Sequence, residues 1–313
     1  MGGRFGDGDM DREGTTVTVS CPNCKAESNK IFGVGDNNRR ITRETFEYYR
    51  CPSCRVVFLH PLPDDPGKYY PSDYYSLPPA RRDISSRAEP EKYKIELVRE
   101  HKSGGRLLEI GPAWGAFCYH AKIAGFSVEA IEMDPECCRF INEYIGARAY
   151  QGDDIQALLE GKGPYDVVAL WHVIEHLPNP WEVLVAITGK LAPGGILVIA
   201  APNPDAWQFM IQGRSWPHVD APRHVQLVPS SVLSDRMKRL GLRSVSITTR
   251  DPGSLGWNIF GWQFFLANLS GNHFVRIALR VLGTVVGYSL FPLERREGRG
   301  SAYTAIFRKD SLS

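Results

Sequence analysis

The sequence predicts a doubly wound α/β sheet preceded by a small cysteine-rich ribbon. Three observations carry that reading. Short apolar runs at 106–110, 127–132, 166–171 and 195–201 alternate with helix-length segments such as 115–124 and 135–145. The first run breaks into a glycine turn, LLEIGPAWGAF, and four of the seven cysteines fall in two Cys-x-x-Cys pairs. Continuously apolar strands between helices belong to a parallel sheet covered on both faces. A chain of 313 residues with 43% hydrophobic content can bury one large core plus a small satellite.

Taken in order, the N-terminal MGGRFGDGDMDREG is charged, glycine-rich and lacks an apolar h-region. It predicts a disordered tail over 1–16 rather than a secretory signal, and hence a cytoplasmic setting in which paired cysteines favour metal over disulfides. CPNC (Cys21, Cys24) and CPSC (Cys51, Cys54), with 26 residues between the pairs, offer four thiolates to one tetrahedral ion. Structural zinc within a ribbon at 17–62 is the expectation. Four cysteines saturate the ion, so it folds the segment and catalyses nothing. Lys25 and Arg55 stand where such knuckles often place glycine. The remaining cysteines, Cys118, Cys137 and Cys138, fall on predicted helices.

FLHPLPDDPGKYYPSDYYSLPP is too rich in proline for a long regular element and reads as a linker over 63–90. Its tyrosines, Tyr69, Tyr70, Tyr74 and Tyr75, either pack the ribbon onto the next domain or line a cleft, and packing is the simpler expectation. The domain at 91–313 is the α/β core. After its first four strand candidates it continues with a helix at 229–240, a strand at 243–249, an apolar insert at about 251–300 and a last strand at 302–309.

In such a sheet a ligand lies at the carboxyl ends of the strands, where the glycine turn falls. Gly111 lets the chain fold back and Gly115 lets the helix start close to its neighbour. Pro112 removes one amide and Trp114 crowds the turn, so a diphosphate is poorly served. Glu109 repels phosphate and welcomes an amine. Glu132, about twenty residues on at the end of the second strand, suits two ribose hydroxyls. Asp153 and Asp154 end the third strand, where a carboxylate accepts from an exocyclic amine. A ligand with an ammonium group, a ribose and an adenine but no phosphate has the composition of S-adenosylmethionine.

At these residues the sequence resembles the class I S-adenosylmethionine-dependent methyltransferases, in particular the bacterial small-molecule branch with an N-terminal zinc ribbon. CPSCRVVFLHPLP and YYPSDYY resemble that branch's leader, LLEIGPAWG its first motif, and WHVIEHLPNP with LAPGGILVIAAPN its fourth and fifth strand regions. The resemblance implies a Rossmann-like sheet of seven strands, the last one antiparallel. It also implies that Gly111 and Gly115 line the methionine moiety, Glu109 holds its amine, Glu132 binds the ribose, Asp153 meets the adenine amine, and Met133 and Ile155 pack against the adenine. Trp171, at the fourth strand end, joins the cofactor-binding set. Ala113 replaces the usual middle glycine.

Chemistry is expected at the rim. WHVIEH presents Trp171, His172, Glu175 and His176, and HVDAPRH presents His218, Asp220, Arg223 and His224. Methyl transfer to oxygen needs a base, and histidine's pKa suits that near neutrality. The candidates rank His224, His172, His176, with Arg223 fixing a polar part of the substrate. The competing readings are structural histidines and a divalent metal on Glu175, His176 and Asp220.

The insert contains GWNIFGWQFFLANL and FVRIALRVLGTVVGYSLFPL, with Arg276, Arg280, Arg295 and Arg296 at the edges. Two arginines and two glycines argue against a lone span. A substrate cap or homodimer face is expected first, and docking on the inner membrane surface second. The net charge of +2 offers no broad handle for nucleic acid. The predicted acceptor is therefore a small molecule, glycan or lipid-linked precursor, most simply at a hydroxyl. An RNA-modifying methyltransferase and a non-catalytic cofactor-binding module are the alternatives.

Overall fold

The structure is a computed structural model describing residues 18–71, 73–79, 83–296 and 298–310. The tail at 1–16 lies outside the described residues. The ribbon contributes β1 (Thr18–Ser20), β2 (Glu27–Gly35), β3 (Thr45–Arg50) and β4 (Val57–Leu59). Each knuckle repeats one hydrogen-bond pattern: Cys21 N–H donates to Ala26 O and Lys25 N–H to Cys21 O, while Cys51 N–H donates to Val56 O and Arg55 N–H to Cys51 O. Lys25 and Arg55 take φ of 65° and 63°, so the left-handed geometry is kept without glycine at either position.

Downstream come α1 (Ile84–Ala88) and α2 (Lys92–Arg99), and then the main sheet. Its elements begin with β5 (Gly105–Ile110), α3 (Ala116–Ile123), β6 (Phe126–Glu132), α4 (Pro135–Phe140), β7 (Arg148–Gln151), α5 (Ile155–Leu159), β8 (Tyr165–Trp171), α6 (Pro180–Lys190) and β9 (Leu191–Pro202). α7 (Trp207–Gln212), β10 (Gln226–Leu227), α8 (Ser230–Arg239), β11 (Leu242–Thr248), α9 (Pro252–Ala267), α10 (His273–Glu294) and β12 (Ala302–Lys309) complete the chain. The spatial order is β11-β12-β9-β8-β5-β6-β7. All neighbours are parallel except β12, which runs antiparallel to both β9 and β11. Seven strands with the last antiparallel match the expectation.

The strands are apolar on both faces because helices cover both. Leu108, Ile110, Val168 and Leu170 pack into one cluster with Leu184 and Ile187 of α6, whereas Leu107, Val167 and Ala169 pack into the other with Phe117 and Ala121 of α3. The order reverses between β5 and β8, which opens a crevice at their carboxyl ends.

Two features tie the ribbon to the main sheet more closely than a satellite. β10 pairs antiparallel with β4, Gln226 opposite Phe58 and Leu227 opposite Val57, extending the ribbon into a five-stranded sheet. The knuckles also dock by side chains: Arg55 Nη1 donates to Asp205 Oδ1 at 3.1 Å, and Arg236 Nε of α8 to Asn23 Oδ1 at 2.9 Å. In the insert, α10 folds back on α9 through Gly283 and Gly287. A Cβ on Gly283 would lie 2.5 Å from Gln263 Cα, so only glycine permits this approach.

Candidate active site

The crevice has two walls. One is made by the ends of β5 and β6. Gly111 and Gly115 have φ of 67° and 90°. A Cβ on Gly111 would meet Val173 Cγ2 at 2.7 Å, and one on Gly115 would meet Ile145 and Ile141 at under 3 Å. Ala113 between them also lies at positive φ, 51°, and so reproduces the glycine geometry with a methyl attached. Its N–H donates to Glu132 Oε2 and Asp134 N–H donates to Oε1, both at 2.9 Å. The Glu132 carboxylate is thereby fixed at the turn, with burial raising its pKa against those amides.

Glu109 is 3% exposed and accepts from the Cys118 thiol at 2.9 Å. Burial pushes its carboxyl up to about 7, with the thiol and Lys94 pulling the other way. Asp154 is spent as the N-cap of α5, bonding Ala157 N–H at 3.0 Å, and leaves Asp153 exposed beside it. Met133 is 47% exposed at the crevice rim while Ile155 is buried. Trp171 is buried against Phe117 at a ring distance of 5.4 Å, and its indole N–H has no partner among the described residues. No basic side chain stands in the glycine turn itself. This acid-rich set suits ribose hydroxyls and amines and disfavours a diphosphate.

The other wall is assembled from distant segments. His172 takes φ of 58° at the end of β8. Its Nε2 accepts from Trp257 Nε1–H of α9 at 2.9 Å, which fixes the proton on Nδ1, 3.3 Å from Glu175 Oε1. The ring therefore has no free lone pair in this conformation. His224 Nδ1 donates to His218 O at 2.8 Å, so its Nε2 lone pair is free, 3.9 Å from Asp220 Oδ2. His176 Nδ1 lies 3.0 Å from Arg223 O and 2.8 Å from the Tyr70 hydroxyl. The His176 and His224 rings sit 4.7 Å apart, edge to face.

Glu175 is 1% exposed, and neither carboxylate oxygen has a hydrogen-bond partner among the described residues. Its pKa is raised by burial, with the neighbouring His224 and His176 rings opposing. Burial likewise drives His172, His176 and His218 down to about 4, so all three are neutral at pH 7.

Arg223 is not positioned to hold a substrate. Its guanidinium is fully buried between Asp36 of the ribbon, at 2.7 Å, and Asp220, at 2.7 Å. Burial works against ionising both acids, but the guanidinium outweighs it and both stay below the usual carboxylate range. Asp220 also accepts from Asn38, and the ligating atoms that converge within 4.8 Å are those of Glu175, His176 and His224.

The ribbon and linker reach this wall directly. Tyr48 of β3 donates to His224 O at 2.7 Å. Tyr69 is buried in the ribbon core as packing predicts, whereas Tyr70 reaches His176, and Tyr74 and Tyr75 continue from it as a ladder of rings 5.0 and 4.9 Å apart. Sequence reasoning missed Trp257 and gave Tyr70 no partner. No spacing signal distinguishes Trp257 from its apolar neighbours on α9.

The four ribbon thiols also converge. Their Sγ atoms lie within 4.8 Å of one another, with Cys21 to Cys54 at 3.6 Å and Cys24 to Cys51 at 3.4 Å. Sulfurs bound to one zinc at about 2.3 Å stand about 3.8 Å apart, so the donor set fits that ion.

A seven-stranded sheet with a glycine turn at its switch point, an acid at the end of the next strand and no cradle for phosphate is the frame of an α/β enzyme suited to an adenosyl group rather than a diphosphate. Residues 83–247 match the family described as Methyltransferase domain. That stretch is more than half of the chain, which therefore belongs to this family and is a S-adenosylmethionine-dependent methyltransferase. The ubiquinone biosynthesis O-methyltransferase of Caulobacter sp. (strain K31) is 34% identical over 108 residues, 32% of this chain and 42% of that protein. That of Maricaulis maris (strain MCS10) is 24% identical over 192 residues, 58% of this chain and 73% of that protein. The chain thus spans less than half the length of the Caulobacter relative. A S-adenosylmethionine-dependent methyltransferase structure from Mesorhizobium loti aligns with a TM-score of 0.50 at 12% identity, over 71% of this chain and 100% of that one, a likeness of fold alone.

Proposed function

We propose that the chain methylates a hydroxyl of a small-molecule, glycan or lipid-linked acceptor, with His224 as the base. The observation that carries this is the free Nε2 lone pair of His224, oriented by His218 O and facing Asp220. Bound S-adenosylmethionine supplies an electrophilic methyl on a sulfonium. Glu132, held by the Ala113 and Asp134 amides, keeps lone pairs for the ribose hydroxyls. Gly111 and Gly115 shape the turn beside the methionine moiety, Glu109 and Trp171 line its floor, and Met133, Ile155 and Asp153 meet the adenine. The acceptor proton passes to His224 Nε2, and Asp220 and Glu175 stabilise the imidazolium. His176 orients the acceptor through its own free nitrogen, while His172 holds α9 in place. The ribbon thiols of Cys21, Cys24, Cys51 and Cys54 hold structural zinc.

The relatives' printed name, ubiquinone biosynthesis O-methyltransferase, supports an oxygen acceptor, in line with a hydroxyl. A second reading, a divalent ion on Glu175, His176 and His224, is favoured by their convergence. A methyl-transfer screen against hydroxylated lipids, glycans and RNA, run with and without chelator, tests these. Transfer to hydroxylated lipid or glycan supports the proposal. Activity on RNA alone returns the RNA reading, and cofactor binding without transfer returns the binding-module reading. Elemental analysis is expected to give one zinc per chain, lost in Cys51→Ser.

A further inference from the structure

A cavity of about 270 Å³ lies where the ribbon, the segment before β10 and the end of α9 meet. Arg40 of the β2–β3 loop and Arg214 after α7 line it, with Trp216, Phe264 and Phe265 among its apolar residues. Neither arginine makes an ion pair with the described residues. The acid among the lining residues is Asp220, and its carboxylate is already taken up by Arg223 and Asn38. The neighbouring cations are spent as well. Arg39 stacks on Tyr74 at 4.4 Å, and Arg223 is closed between Asp36 and Asp220. Two guanidinium groups therefore share one concave, partly apolar surface without a counter-charge. An oxyanion relieves that arrangement, and the planar forks of arginine match its geometry.

An aromatic row joins this cavity to the catalytic wall. Trp257, Phe260 and Phe264 of α9 follow one another at spacings of three and four residues, which puts them on one helix face. Their rings stand 5.8 and 5.7 Å apart in turn, and Trp257 lies 5.0 Å from His172 at the other end. Phe260 is 37% exposed, so the row is open to a ligand at its middle, where it also lies 6.0 Å from His218. From Trp257 to Phe264 the helix rises about 10 Å. Asp220 connects the same two places from across the seam: it lines the cavity and holds Oδ2 3.9 Å from His224 Nε2.

We infer that the cavity binds an oxyanion of the acceptor, a phosphate or carboxylate, and that the acceptor's apolar body lies along the aromatic row with its hydroxyl at the catalytic wall. A neutral acceptor leaves Arg40 and Arg214 facing each other's charge with nothing to offset it. That the ligand is the acceptor rests on the hydroxyl-methylation reading; the anion site does not.

Calorimetric titration of the full chain with phenyl phosphate, inorganic phosphate and phenol tests the site. Phenyl phosphate is expected to bind most tightly, because it alone of the three presents both a charge and an apolar body. Its affinity should fall about tenfold in Arg40→Gln and in Arg214→Gln. Phe265→Ala should weaken phenyl phosphate and leave inorganic phosphate unchanged. Wild-type affinity for S-adenosylhomocysteine in each variant shows that it is folded. Phenyl phosphate that fails to bind, binds no tighter than phenol, or ignores both arginine substitutions overturns the site. In turnover, a phosphorylated hydroxy acceptor should show a KM raised about tenfold in Arg214→Gln with kcat kept. Transfer to uncharged acceptors alone, at the same KM in Arg214→Gln, overturns the inference and leaves the hydroxyl reading standing. Phenyl phosphate held through the arginines in a chain that methylates no hydroxyl leaves the anion site standing and overturns the methylation reading.

Discussion

The two walls of the crevice are built by different rules. The cofactor wall is local: Gly111, Ala113, Glu132 and Asp134 lie within a run of 24 residues on two adjacent strands, and the backbone itself holds the key acid. The acceptor wall is long-range, joining Asp36 and Tyr48 of the ribbon, Tyr70 of the linker, His172 to His176, His218 to His224, and Trp257 of the insert. A parallel sheet delivers the first wall as a by-product of its own topology. The second exists only once the ribbon has docked. With the proposed assignment of the two walls, adenosyl recognition is separable from acceptor chemistry, and damage to one wall is expected to spare the other.

The largest effect that sharpens this contrast is expected in His224→Ala. Turnover should fall on the order of 10²- to 10⁴-fold with cofactor affinity unchanged, read by initial rates and calorimetry. Full turnover in that variant removes the base assignment. Arg223→Leu breaks the contrast from the ribbon side by leaving Asp36 and Asp220 buried and unpaired. A loss of about 3–5 kcal/mol is expected in the denaturant midpoint at constant slope, with cofactor affinity retained in the molecules that remain folded.

On the cofactor wall, Glu109 makes the next effect pH-dependent. Its folded pKa of about 7 lies above the ordinary 4.5, so the native state keeps a proton that the unfolded chain has released. Its contribution is fully present below about pH 4.5 and lost as the pH rises through 7, about 3 kcal/mol over that window. Denaturation profiles of wild type and Glu109→Gln should converge at low pH and separate above it, the variant being the more stable. Profiles that stay parallel count against a buried, neutral Glu109. Smallest is Trp257→Phe, which removes the donor to His172 and should cost about 1 kcal/mol, with cofactor binding untouched.

The same division explains what could be read beforehand. The apolar strands, the glycine turn, the acids at the strand ends and the paired cysteines are short-range patterns, and each appears in the structure close to its expected place, while the count of seven strands came from the family resemblance. The left-handed Lys25 and Arg55 were legible only as a departure, because a knuckle's hydrogen bonds can enforce a geometry that the side chain resists. Arg223 shows the limit most clearly. Beside two histidines it reads as a substrate anchor, but its partner Asp36 lies 187 residues away and no spacing rule joins them. The occupied lone pair of His172 was illegible for the same reason: the indole that donates to it sits 85 residues on, in a helix whose pattern is simply apolar.

The separation of the walls is tested most directly by titrating S-adenosylhomocysteine calorimetrically into wild type, Glu132→Ala and Arg223→Leu under conditions where all three are folded. A loss of about 1–3 kcal/mol is expected in Glu132→Ala, where buried polar groups of the proposed ribose site are left unpaired, and wild-type affinity in Arg223→Leu. Unchanged affinity in Glu132→Ala, or an equal loss in Arg223→Leu, would contradict that separation.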